Sequence, residues 1–295
     1  MVNNTCHGLD IMGLVVTTSA PYICPFLVQF SLVCAAIFYT MWSCVDRPWQ
    51  LTLGEGRMRI LPRRVDCVGA SKGLFLGLFV LVTNVICLIL FFVLVNHSRF
   101  HRLAIYLSHL SHVVVMLVSL VAIVVGMIQA RSFLGESGPP EPDRPLSKLL
   151  LHLATFGSFL YSVFGILAGA MTVGQWNEPS LLLTASSALA VVQVTVQSLF
   201  LLQMSGRWEA RAALATPRHG SHAITLLLIS NVTLWIVATF EIQQVQVNPI
   251  QAEFYGAPIW AVIQAVTLPL CIFYRFQSAV MLTSLWKITC LSPTK

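Results

Sequence analysis

Seven long apolar runs joined by short connections constrain this chain more than any other feature, because a backbone surrounded by hydrocarbon must satisfy its own hydrogen bonds and so crosses as helices. The runs lie at 21–42, 73–95, 103–130, 149–173, 181–204, 222–245 and 258–284. Each is close to the ~20 residues that a helix needs to span the hydrocarbon core. Charge then sorts the connections. Segment 43–72 carries Arg47, Arg57, Arg59, Arg63, Arg64 and Lys72; segment 131–148 carries Arg131, Arg144 and Lys148; segment 205–221 carries Arg207, Arg211 and Arg218. With Lys287 and Lys295, this puts fourteen of the seventeen Lys and Arg residues on one side. Arg99 and Arg102 lie on the other side, and Arg275 lies within the last run. Basic residues are retained on the cytoplasmic face, so the expected topology is a multi-pass protein of the cell membrane with its N-terminus extracellular and its C-terminus cytosolic. The expected fold class is an all-α polytopic membrane protein with about seven transmembrane helices.

Composition removes the soluble alternatives. With 57% hydrophobic and 9% charged residues, no soluble domain of useful size fits in the chain, and the net charge of +6 reflects membrane sorting rather than nucleic-acid affinity. Most of the eight cysteines lie in the runs or at their basic edges, and none forms a CxxC pair, so neither a disulfide framework nor a zinc site is expected. No cofactor is implied. Segment 1–20 lacks the basic start and continuous apolar core of a signal peptide, and Asn3-Asn4-Thr5 is a glycosylation acceptor if it faces the lumen. No HExxH, GxSxG or Walker A pattern occurs, so an enzyme is not expected.

The first and last runs resemble each other. PFLVQFSLVCAAIFYTMW from Pro25 and PLCIFYRFQSAVMLTSLW from Pro269 align Pro25 with Pro269, Phe30 with Tyr274 and Trp42 with Trp286 at identical spacing. Matching landmarks in equal orientation suit two helices that each close one half of a duplicated bundle. Here the closing helix of one half would precede all of the other, which implies a parent of twelve spans.

Several stretches carry a family resemblance: the closing helix from Pro25, DCVGASKGLFLGLF at 66–79, VQVTVQSLFLLQ at 192–203, NVTLWIVATFE at 231–241 and EFYGAPIWAVIQAVTLPLCIFYRFQSA at 253–279. On these the chain resembles the otopetrin proton channels over residues 20–290, matching their second half together with the sixth helix. The resemblance implies a domain order of an extracellular tail at 1–20, the closing helix of an absent first half at 21–45, a basic cytosolic linker at 46–72 and a six-helix barrel half at 73–290. It also implies an acid-activated, proton-selective channel embedded in the lipid bilayer, with protons as the permeant ion and no nucleic-acid partner. As partners it implies a second copy of the chain in a homodimer, or a full-length paralogue. Two other readings stand beside it. One is a non-conducting short form that modulates a full-length channel. The other is a seven-helix receptor, although Asp-Arg-Tyr and Asn-Pro-x-x-Tyr are missing from their places.

Polar residues within the runs mark where ions could pass. Gln193 and Gln197 are one turn apart and share a helix face, Gln203 lies toward the basic end of the same run, Asn231 sits mid-span, and Tyr274, Arg275 and Gln277 interrupt the last run after Pro269. Amides and a phenol do not titrate near neutrality, but they order water by donating and accepting hydrogen bonds. Each could equally tie two helices together. The resemblance favours the path reading for Gln197, Asn231 and Tyr274, which match the family's constriction, with Gln193 as the substitute if the register on that helix is off by one turn. Glu241, at the outer end of its run, either collects protons and senses external pH or is a solvated helix end. Arg275 is expected to pair with a carbonyl or to snorkel. His97 and His101, in the short outer turn, have a spacing that can bind zinc on a helix and could instead sense pH; no metal site is assigned. His109 and His112 share a face of the third run. Gln277 stands with Glu241, His97 and His101 as a candidate for proton entry or pH sensing; the family commonly has a histidine at the position of Gln277 and a Glu-Tyr pair at Gln29-Phe30, so titratable groups of the resemblance are missing here.

Overall fold

In the computed structural model, residues 11–45, 64–65, 71–95, 97, 99–131, 145–172, 178–211, 221–240 and 249–292 are described. The elements in chain order are α1 (Ile11–Val45), β1 (Arg64–Val65), α2 (Ser71–Val95), α3 (His101–Arg131), α4 (Pro145–Thr172), α5 (Glu178–Arg211), α6 (Ser221–Phe240), α7 (Pro249–Tyr255), α8 (Ala257–Cys290) and β2 (Leu291–Ser292). Helices α2, α3, α4, α5, α6 and α8 are long and apolar enough to cross a membrane, the make-up of a multi-pass, all-α membrane protein. The two-residue strands are a local antiparallel pairing of Arg64 with Ser292 and Val65 with Leu291.

The six spanning helices close into a ring. Going round it, α2 packs on α3, α3 on α5, α5 on α4, α4 on α8, α8 on α6, and α6 on α2. Contacts of α3 with α6 and of α5 with α8 pinch the ring across its middle. Small residues allow the close approaches, as expected where apolar lipid offers no hydrophobic drive for helices to associate. Gly73 lies against the backbone of His222, Gly77 against Ile229, Gly157 against Leu270 and Gly169 against Thr184, so α2 meets α6, and α4 meets both α8 and α5, with no room for a side chain at these points. Large apolar side chains such as Phe75, Phe79, Val121, Ile128 and Phe156 face outward. Helix α6 is the most enclosed, with 61% of its apolar window buried against 22% for α2.

Helix α1 lies outside the ring, on α8 and α6. It begins at Ile11, within the stretch expected as a tail, and its described apolar portion is Phe26–Tyr39. One face docks: Phe26 meets Trp235 edge-on with ring centroids 6.1 Å apart, and Trp235 Nε1 donates to Gln29 Oε1 at 3.4 Å. Phe30, Phe38 and Trp42 point away from the ring.

The connection between the sixth and seventh apolar runs contains α7. Proline fits the first position of a helix because its missing N–H would have no partner there, and Pro249 occupies that position. Gly256 then turns the chain into α8 with a φ of 82°, a backbone conformation open to glycine, and its carbonyl accepts the Trp260 N–H at 3.0 Å.

Candidate functional site

The ring has two dissimilar ends. At the basic end, α3, α5 and α8 finish and α4 and α6 begin; at the opposite end lies α7. A cavity of ≈ 120 Å³ occupies the α7 half, with walls from α3, α4, α5, α6 and α8 and Gln251 of α7 at its rim. Helix α7 is held over it by rings. Tyr255 stacks on Trp260 at 5.9 Å with a 12° interplanar angle, and its hydroxyl donates to the Phe164 carbonyl at 3.0 Å. Burial raises the Tyr255 phenol above its ordinary pKa, so the hydroxyl remains a donor throughout the neutral range. On the wall between α3 and α5, Ser186 Oγ and His109 Nδ1 are 3.2 Å apart.

Arg275 and Val194 line this cavity, and from Arg275 a chain of side-chain hydrogen bonds leads toward the basic end. Arg275 Nη1 donates to Gln193 Oε1 at 2.8 Å, Gln193 Nε2 to Gln197 Oε1 at 2.7 Å, and Gln197 Nε2 to Asn231 Oδ1 at 2.8 Å. Asn231 Nδ2 donates to the Leu227 carbonyl at 2.8 Å and back to Gln197 Oε1 at 3.2 Å. Gln193, Gln197 and Asn231 are each 0% exposed. The i, i+4 spacing of the two glutamines places them on one face of α5, and the α5 amides reach across the ring interior to α6. Leaving such a group unpaired here would cost about 1–3 kcal/mol, which explains why every member is bonded.

Tyr274, the third residue of the expected constriction, is fully buried and belongs to a separate branch. Its hydroxyl donates to the Val194 carbonyl at 3.1 Å and accepts from Ser198 Oγ at 3.2 Å; Ser198 lies 3.0 Å from Thr155 Oγ1 of α4. It does not bond Gln197 or Asn231 directly. The Arg275 guanidinium lies 5.3 Å from the centre of the Tyr274 ring and links the branches. Among the described residues, Arg275 pairs with a carbonyl oxygen, that of the Gln193 side-chain amide.

The remaining expected residues are scattered. Gln277 donates to Ser147 Oγ at 3.2 Å and to the Ser147 carbonyl at 3.4 Å, which ties α8 to α4 away from the amide chain. His97 is exposed in the turn between α2 and α3, where its backbone N–H bonds the Leu94 carbonyl. His101 opens α3 with a side chain outside the described residues, and Glu241 lies outside them altogether. Among the described residues no group of three or more His, Cys, Asp or Glu could hold a metal ion. Gln203 is exposed.

Below Asn231 the interior becomes apolar. Ile123, Leu151, Phe200, Leu201, Leu227 and Leu282 belong to one buried cluster that fills the ring toward its basic end. Sequence reasoning missed this plug, the Thr155–Ser198–Tyr274 branch and the α7 cap. Hydroxyls are weak signals because many among the described residues bond their own helix one turn back, as Ser119 does to Val115 and Thr239 to Trp235. The plug has no sequence signal of its own, since apolar residues occupy every face of these helices.

A cavity, a buried amide chain and an apolar closure in series suit a path for a small ion across the membrane. Among known proteins, a family model described as Otopetrin matches residues 1–276. The chain is 33% identical over 289 residues to the proton channel OtopLc of Drosophila melanogaster, an alignment covering 96% of this chain and 18% of that protein. It is 26% identical to the proton channel OTOP2 of Mus musculus, covering 91% of this chain and 57% of that one, and 23% identical to the proton channel OTOP1 of Danio rerio, covering 96% and 58%. It therefore spans less than two thirds of the length of each. With the family model matching nearly the whole chain, this protein belongs to the otopetrin family, a family of channels rather than enzymes.

Proposed function

We propose that the chain forms a proton-selective path, opened by external acid, through the interior of its six-helix ring. The observation that carries this reading is the buried chain Arg275–Gln193–Gln197–Asn231 running from the cavity to the apolar plug. The proton-channel names of the relatives support the choice of ion. Protons would enter at the α7 end, which the charge asymmetry assigns to the extracellular side, and leave at the basic, cytosolic end of a cell-membrane protein. The amides would not take up the proton. They would hold a file of water by alternating donors and acceptors, with Gln197, Asn231 and the Tyr274 hydroxyl around its narrowest point. Apolar constrictions gate by dewetting, so the cluster around Leu201 and Leu227 would conduct only when water enters it. Glu241, His97 and His101 are proposed as external proton collectors.

Whole-cell recording with a cytosolic pH dye tests the proposal. Stepping external pH from neutral to acid should evoke an inward current with cytosolic acidification, abolished by Asn231→Leu at unchanged surface delivery. An Asn231→Leu current equal to wild type would sink the assignment of the path.

A second reading is that the chain acts beside another copy or a full-length relative. The outward side chains Phe30, Phe38 and Trp42 on α1 favour it, because they offer an aromatic face to a neighbouring helix. Normal delivery of this chain with no current of its own, but altered current from a co-expressed relative, would select that reading over the first.

A further inference from the structure

None of the six spanning helices contains an Asp or Glu between its membrane limits, and Glu253 of α7, the one acidic side chain described, is exposed. Arg275 is nevertheless 7% exposed in the middle of the ring. A guanidinium does not give up its proton in a protein, so this is a permanent buried positive charge. Buried charges are normally paired. Among the described residues, its hydrogen-bond partner is a neutral amide, Gln193, which uses one of five N–H donors.

Arg275 lines the cavity together with Ser158, Ser162, Ser186 and His109; the hydroxyls of Ser162 and Ser186 donate to the Ser158 and Leu183 carbonyls of their own helices, and the buried Ser158 hydroxyl has no hydrogen-bond partner among the described residues. Gln251 is a second, independent sign of a missing ligand. Its side chain is 1% exposed, lines the same cavity and, as placed, has its carbonyl oxygen Oε1 without a partner among the described residues. The two ends of an amide exchange by a simple flip, so Gln251 can present its NH₂ to an acceptor. We propose that this cavity is a binding site for a small monovalent inorganic anion of the chloride class, with the Arg275 guanidinium as its charged ligand and the Ser158 hydroxyl and Gln251 completing its shell. A single positive charge is balanced by one negative charge, and ≈ 120 Å³ accommodates a halide with room for water. A phosphate would leave excess negative charge in the ring.

The test is direct binding, independent of whether the chain conducts. The full chain, purified in detergent at fixed pH and ionic strength, is titrated with sodium chloride replacing sodium gluconate while thermal unfolding is followed. A ligand of the folded state raises the unfolding temperature in a saturating manner. The expected result is a saturating rise of several degrees with chloride and bromide that is lost in Arg275→Gln. Should that variant fail to fold, Ser162→Leu decides, because it narrows the cavity while leaving the arginine in place, and it is expected to lose the chloride response too. A flat wild-type titration would overturn the proposal, as would a response that persists in the variants. A response to acetate but not to halides would overturn the assignment to an inorganic anion.

Discussion

Gln197 is the residue on which the amide chain turns. It accepts from Gln193 and exchanges bonds with Asn231, so Gln197→Leu removes a bond from both neighbours at once. Loss of about 2–4 kcal/mol of stability is expected from two buried amides left short of partners, seen as a lower unfolding temperature in detergent, together with loss of acid-evoked current. Tyr274→Phe differs. Ser198 keeps Thr155 as a partner and only the Val194 carbonyl loses a donor, so a loss of about 1 kcal/mol of stability is expected, together with loss of acid-evoked current because the hydroxyl stands at the narrowest point of the proposed path. A current equal to wild type at full surface delivery would place Tyr274 beside the path rather than within it. The glutamine pair was legible from sequence, because i, i+4 spacing dictates a shared face on any helix. Its bond to Asn231 was not, since nothing local says which helix lies opposite.

At the scale of elements, helix contacts and the α7 turn carry the next predictions. A side chain at Gly157 would overlap Leu270 close to the α8 backbone, where neither helix can yield cheaply. Gly157→Val is expected to destabilise by about 1–3 kcal/mol. The double variant with Leu270→Ala should recover part of that loss, the coupling being read from a double-mutant cycle of thermal unfolding. Gly256→Ala forces a side chain into the left-handed region and is expected to cost roughly 1–2 kcal/mol locally. Its effect should appear as faster proteolysis at the α7–α8 turn and as altered Trp260 fluorescence. Equal proteolysis in wild type and variant would show that the turn is not what seats α7. The six spans from residue 73 onward were read from the sequence within a few residues, because length and apolarity are one-dimensional properties; the first run, read as 21–42, lies within the longer α1, whose apolar portion is Phe26–Tyr39. Helix α7 escaped that reading, as seven residues of mixed polarity carry no period.

For the whole molecule, the prediction concerns the closure at the basic end. Leu227→Ser puts a hydroxyl beside the Asn231 chain within the apolar cluster. If dewetting closes the path, it should raise resting proton leak at neutral external pH, measured as cytosolic acidification without an acid step. Leak equal to wild type at equal delivery would remove the gating role of the cluster.

The sequence by itself determined that this chain crosses a membrane repeatedly, where the helices run, which end is basic and which polar residues are buried among apolar ones. All of these follow from hydrophobic length, charge and helical period, which act locally. The tertiary structure alone decided that α2, α3, α5, α4, α8 and α6 close into a ring in that order. It likewise decided that Gln197 meets Asn231 while Tyr274 turns to Ser198, and that Arg275 faces a cavity rather than a carboxylate. Helices that are apolar on every side carry little directional information of their own. Their neighbours are chosen by the fit of small residues such as Gly73 and Gly157 against distant helices, a choice made only when the chain packs as a whole.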